Sequence, residues 1–199
     1  QSYPFLFPKM FADSVWINRM SDSIQKLQNK AVDSVFEDFS LTESEIINFY
    51  QHLKYYNKAL KTPRLITVLS DVDYRNKVVV TDSIVLIALD TYLGAEHEFY
   101  TSFYNYIKQN LNKGQIVSDL ATAYAERLIY QPKRATFLEE MIYFGKQLYL
   151  KDVLIPFKED HEKIGYYPDQ YEWAQDNEFY IWQYFVEKEL LYETDRKLL

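Results

Sequence analysis

Histidine is the scarcest of the reactive side chains in this 199-residue chain, present only as His52, His97 and His161. His97-Glu98-Phe99-Tyr100-Thr101 opens like a zinc-binding HExxH helix, where two histidines at i and i+4 face one way and the glutamate acts as base. Thr101 stands where the second histidine belongs, so the string reads as a capping histidine in a loop that leads into a helix. A zinc site needs at least three ligands, and a three-histidine site would need distant segments to converge. No histidine lies between His97 and His161.

The remaining reactive patterns are weaker. Asp71 and Asp73 are expected to flank a hairpin turn, where aspartates bond their own backbone. The calcium alternative lacks the DxDxDG loop. Glu139 and Glu140, ahead of Lys146, read as surface charges on an amphipathic helix, because glycoside cleavage needs two carboxylates facing each other across a groove. No serine sits in a GxSxG elbow. Four glycines form neither GxGxxG nor a P-loop, so no phosphate cradle is present. The absence of cysteine excludes disulfides, thiolate metal sites and cysteine nucleophiles within these 199 residues and leaves the compartment open.

Composition bounds the class. With 48% hydrophobic and 26% charged residues the chain is a folded globular protein, read as one domain over 1–199. A net charge of −7, with no basic cluster denser than Lys58–Lys61 followed by Arg64, disfavours nucleic acid. No apolar run reaches the roughly 18 residues that a membrane span requires. Aromatic content is high at 18%, with 19 Tyr and 13 Phe, which suits either a thick core or an adhesive surface.

The elements that must position these residues follow from periodicity. From Lys9, apolar residues Val15, Ile17, Met20, Ile24, Leu27 and Val32 recur at helical spacing. Thr42 and Glu45 predict a capping box for a helix that carries Ile46, Ile47, Phe49, Tyr50 and Leu53 and ends at Pro63. Leu65–Leu69 and Lys77–Thr81 read as a hairpin around the turn 71–76, and Ser83–Asp90 as a third strand closed by Gly94. Val117, Leu120, Ala121, Tyr124 and Leu128 share a face of one helix. Phe137, Leu138, Met141, Ile142, Gly145 and Leu148 share a face of the next, with Pro132 between the two helices and Pro156 after the second. Pro168 precedes one last long helix through Leu190. The layout is α+β: mostly helical, with a small two- or three-stranded sheet.

The aromatic stripe from Tyr166 to Tyr192 has two readings. Core packing suits Trp182 and Phe185, and is the commoner fate of such residues. Tyr166, Tyr167, Tyr171 and Tyr180 sit beside prolines and charges, where an interaction surface would use them.

Several strings stand out together: Tyr3-Pro4-Phe5-Leu6-Phe7-Pro8, Asp13-Ser14-Val15-Trp16-Ile17 and Ser70-Asp71-Val72-Asp73-Tyr74. To these belong Ile87–Gly94, Met141–Lys146, Ile164-Gly165-Tyr166 and Trp173 through Asp195. They resemble the gliding-motility lipoprotein GldB family of Bacteroidetes, and the resemblance spans essentially the whole chain. It implies a lipid-anchored, periplasm-facing cell-envelope protein whose lipidated N-terminal cysteine and C-terminal segment lie outside these residues. The implied partners are other envelope proteins of motility or of the associated type IX secretion machinery, with no contact to the membrane except through the lipid.

The family is similar in turn to predicted zinc peptidases with HExxH on one helix and a third ligand on the next. The pattern alignment puts the HExxH positions on Tyr124, Ala125, Glu126, Arg127 and Leu128, and the third ligand on Phe144. Tyrosine, leucine and phenylalanine then replace the ligands and alanine the base; a one-residue slip restores Glu126 as base but no histidine. The resemblance therefore implies a zinc-peptidase-like scaffold without its zinc ligands, no cofactor, and a vestigial cleft at Tyr124, Glu126, Leu128 and Phe144. Two alternatives stand beside this non-catalytic reading: a divergent peptidase, and a peptide- or glycan-binding module using the vacated cleft.

Overall fold

The structure is a computed structural model that describes residues 11–131 and 135–195. The opening Tyr3–Pro8 string, Lys9 and Pro132 lie outside the described residues. Nine helices and three strands are described: α1 Asp13–Ser21, α2 Ser23–Val35, α3 Ser40–Tyr56, β1 Arg64–Val68, β2 Val78–Val80, β3 Ile84–Ala88, α4 Asn105–Lys108, α5 Ile116–Leu128, α6 Phe137–Leu154, α7 Asp160–Ile164, α8 Pro168–Asp176 and α9 Glu178–Glu187. This is the α+β layout that the periodicity predicts. No helix among the described residues is long and apolar enough to cross a membrane.

The sheet order corrects the expected hairpin. β3 lies between the other two strands, parallel to β1 and antiparallel to β2. The tight turn therefore joins β2 to β3 at Thr81–Ser83, where Thr81 Oγ1 accepts from Ile84 N at 3.0 Å. Residues 69–77 cross from β1 past the central strand instead of reversing beside it. β3 takes the centre because Val85 and Ile87 are wholly buried, whereas each flanking strand keeps exposed positions.

One buried carboxylate holds that crossover. Asp90, just past β3, has no exposed surface and accepts from Ser70 N at 3.0 Å and Val72 N at 2.7 Å, with Ser70 Oγ at 3.2 Å. Asp71 and Val72 both adopt left-handed backbone, φ 58° and 61°. That conformation is costly for a β-branched residue and persists only where the surroundings fix it. The two strings 70–74 and 87–94 are thus one structural unit. Asp73 stabilises its own turn, accepting from Arg75 N, as expected. Asp71 does not: its carboxylate reaches Arg19 at 2.9 Å and the Gln25 amide, tying α1 and α2 to the crossover.

Helix boundaries show further departures. α3 starts two residues before Thr42, with Asp38 accepting from Ser40 N at 2.9 Å. Those Ser40 hydrogen bonds hold the Asp38 carboxyl below the usual carboxylate range. Thr42 is buried, and Glu45 is an ion-pair partner of Lys158 at 2.8 Å instead of a capping residue. α3 ends at Tyr56, well ahead of Pro63. Asp22 splits the first helical stretch by capping α2, accepting from Ile24 N and Gln25 N. The final helix is also two: the Asn177 amide donates to Trp173 O at 2.8 Å and competes with the helical ladder.

The main core joins α3, β3, α5 and the end of α6, through Ile46, Phe49, Val85, Ile116, Leu120 and Leu154 among others. α5 buries the expected Val117, Leu120, Ala121 and Tyr124, but Leu128 is exposed. α6 departs more. Its buried residues are Tyr143, Gln147, Lys151 and Leu154, while Ile142 is half-exposed. Because apolar residues surround α6 on most sides, periodicity alone does not select its inner face. Its start is a capping box between Thr136 and Glu139, the structural role of an acid expected to be a surface charge.

Candidate functional site

Ser118, Asp119, Thr122 and Glu126 are spaced so that one side of α5 presents them together. Opposite, α6 contributes Phe144, Gln147 and Lys151, and residues 163–166 close one end, enclosing a cleft of about 390 Å³. Its floor is polar although it lies against the core. Lys151 is buried, donating to Lys163 O at 2.6 Å and to Ser118 Oγ at 3.2 Å; Ser118 Oγ in turn donates to Glu162 O at 3.1 Å. Burial pushes the Lys151 ammonium down to about 8, with Asp119 opposing the shift. Asp119 is itself taken: Lys77 lies at 2.5 Å and the buried Tyr92 hydroxyl donates to it at 2.8 Å. Burial, then Asp119, raises the Tyr92 phenol well above its ordinary value. Gln147 is 5% exposed, and among the described residues its Nε2 has no hydrogen-bond partner.

The four residues of the expected vestigial cleft do not meet in one place. Glu126 and Phe144 line the cleft just described. Tyr124 and Leu128 line a separate hollow of about 350 Å³ beside Leu53, Leu60 and Arg127. The cause is helical geometry: each residue turns by about 100°, so Glu126 points roughly 200° away from Tyr124 while Leu128 returns to its side. Tyr124 is a core residue, its hydroxyl 3.2 Å from that of Tyr50. Burial raises the pKa of both phenols. The signal for the polar cleft was the hydroxyl–acid–hydroxyl set at 118, 119 and 122, with Gln147 and Lys151 four apart on one face of the next helix.

His97 caps a short turn, its Nδ1 accepting from Phe99 N at 3.3 Å. Among the described residues no three His, Asp or Glu side chains gather as a metal ion requires. The cleft offers lysines, acids, hydroxyls and amides.

A second feature is the aromatic surface. Neither α8 nor α9 contains a buried residue, yet Trp173 is 60% exposed, Phe179 72% and Tyr180 66%. Trp182 is also exposed, against the core role expected of it. Tyr166 and Tyr167 are about half exposed; Tyr171 is half-buried and donates to Asp160 at 3.2 Å. Phe185 attaches α9 to α6, its ring 4.9 Å from that of Phe137. Tyr166 borders both the polar cleft and a shallow groove along Asp169, Trp173 and Ile181.

No curated protein and no solved structure matches this chain. The sequence family described as gliding motility protein GldB matches residues 1–199, the whole chain. The chain therefore belongs to the gliding motility protein GldB family.

Proposed function

We propose that the domain serves gliding motility as a binding platform, holding a protein of the cell envelope on the aromatic surface of α8 and α9 without making or breaking a bond. The family supplies the coarse statement: a role in gliding motility for a lipoprotein, hence an envelope protein held by lipid. The observation that carries the finer one is that two consecutive helices contain no fully buried residue while exposing Trp173, Phe179, Tyr180 and Trp182. Large aromatic side chains left exposed are the residues that anchor protein interfaces, where tryptophan and tyrosine dominate the energy. The partner is a motility protein or a component of the associated type IX secretion machinery, met on the periplasmic side of the membrane.

The divergent-peptidase alternative has less support. Glu126 is exposed on the cleft rim, with lysines and hydroxyls around it and no imidazole to share a metal. Replacing Trp173 and Tyr180 with serine tests the platform. Colony spreading is lost while the thermal transition of the protein stays within a few degrees of its original value. Normal spreading by that variant would refute the assignment; spreading lost on Glu126→Gln, with α8 intact, would favour the peptidase.

A further inference from the structure

Every other cation of the polar cleft has its own carboxylate. Lys77 pairs with Asp119 at 2.5 Å, and Lys163 with Asp152 at 2.9 Å and Asp160 at 3.0 Å. Lys151 differs. It is buried, its two hydrogen-bond acceptors are the neutral Ser118 hydroxyl and the Lys163 carbonyl, and among the described residues it forms no ion pair. One turn earlier on the same face of α6, Gln147 also lines the cleft, and among the described residues its buried Nε2 is a donor without an acceptor. A buried donor left unmade and a buried cation left unpaired are each costly. A single group answers both: an anion with two acceptor oxygens.

We propose that the cleft between α5 and α6 binds a carboxylate, held between the Lys151 ammonium and the Gln147 side-chain amide. Two acids act on Lys151 through space, Asp119 and Glu126, but neither is hydrogen-bonded to it: Asp119 is paired with Lys77 and engaged by Tyr92, and Glu126 stands at the exposed rim. A carboxylate fits better than a larger dianion because one unpaired cation and one neutral amide supply the charge and the donors. The volume, about 390 Å³, admits a small acid or the end of a chain. Tyr166 at the rim leads toward the α8 groove, so a polypeptide terminus has a path out. This inference does not depend on the partner reading, since its residues lie on α5 and α6.

The test uses isotope-labelled protein and three probes observed by NMR: acetate, N-acetyl-alanyl-alanine as the free acid, and the same dipeptide as its C-terminal amide. The free acid is expected to shift the Gln147 side-chain amide and the Ser118 and Thr122 backbone signals saturably, and the capped amide to bind at least tenfold more weakly. Acetate as strong as the dipeptide acid assigns the site to a small carboxylate; a dipeptide at least tenfold tighter assigns it to a polypeptide end. Lys151→Met and Gln147→Leu each weaken the acid at least tenfold. Acid and amide binding equally, or no saturable shift at millimolar probe, overturns the proposal. Because that comparison uses the unsubstituted protein, it decides even if a variant fails to fold.

Discussion

Lys151→Met is the substitution whose consequence follows most directly from the structure. Methionine keeps most of the apolar stem and removes the charge. In the unfolded chain the lysine holds its proton up to about 10.5; in the folded protein burial brings release down to about 8. Between those values the unfolded state binds one proton more than the folded state, so stability must rise with pH across the window. The stabilisation is complete above 10.5 and is lost as pH falls through 8. The gap between about 10.5 and about 8 corresponds to about 3 kcal/mol. The difference between unsubstituted protein and variant isolates Lys151 from every other group. Urea unfolding at half-unit steps from pH 7 to 10.5 should show the unsubstituted protein gaining about 3 kcal/mol relative to Lys151→Met. Parallel curves for the two proteins would refute the buried, unpaired state assigned to this cation.

Three further outcomes are expected. Asp90→Ala strips the acceptor from Ser70 N and Val72 N, leaving two part-buried donors unmet; a loss of about 2 kcal/mol is expected in urea unfolding, with faster hydrogen exchange at both amides. Unchanged exchange would contradict the role of Asp90. Gly165 caps α7 at φ 82°, and a Cβ there would meet the Asn110 amide at 2.9 Å, so Gly165→Ala should destabilise by about 1–2 kcal/mol in thermal unfolding. Thr136→Ala breaks the α6 capping box and should cost about 1 kcal/mol in the same assay, with Thr136→Ser restoring most of it; equal loss in both variants would locate the effect elsewhere.

Much of the frame was legible where one force acts locally. α5 and α6 end close to where apolar periodicity and Pro156 put them, and β3 lies inside the β-branched run after Ser83. What was not legible depends on distant partners. The β1–β2 hairpin looked natural because two β-rich runs flank a turn-forming segment, but β3 takes the place beside β1, with Val85 and Ile87 wholly buried on one face. Asp71 read as a turn residue because sequence cannot reveal Arg19 across 52 positions. α6 carries apolar residues nearly all round, so its inner face, and with it Gln147 and Lys151, escaped the pattern. The expected cleft at Tyr124, Glu126, Leu128 and Phe144 joined residues from opposite sides of α5. Of the tyrosines read as an interaction surface, Tyr166, Tyr167 and Tyr180 are exposed and Tyr171 is half-buried; Trp173 and Phe179 are exposed as well.

The central claim is that α8 and α9 hold a protein partner in the cell envelope. The measurement that bears on it most directly is crosslinking and copurification of the full-length lipidated protein from its native membrane, run beside the variant with serine at Trp173 and Tyr180. One or two envelope proteins recovered in stoichiometric amount with the first and absent with the second is the predicted result. Recovery of the same proteins with both, or of none with the unsubstituted protein, would contradict it.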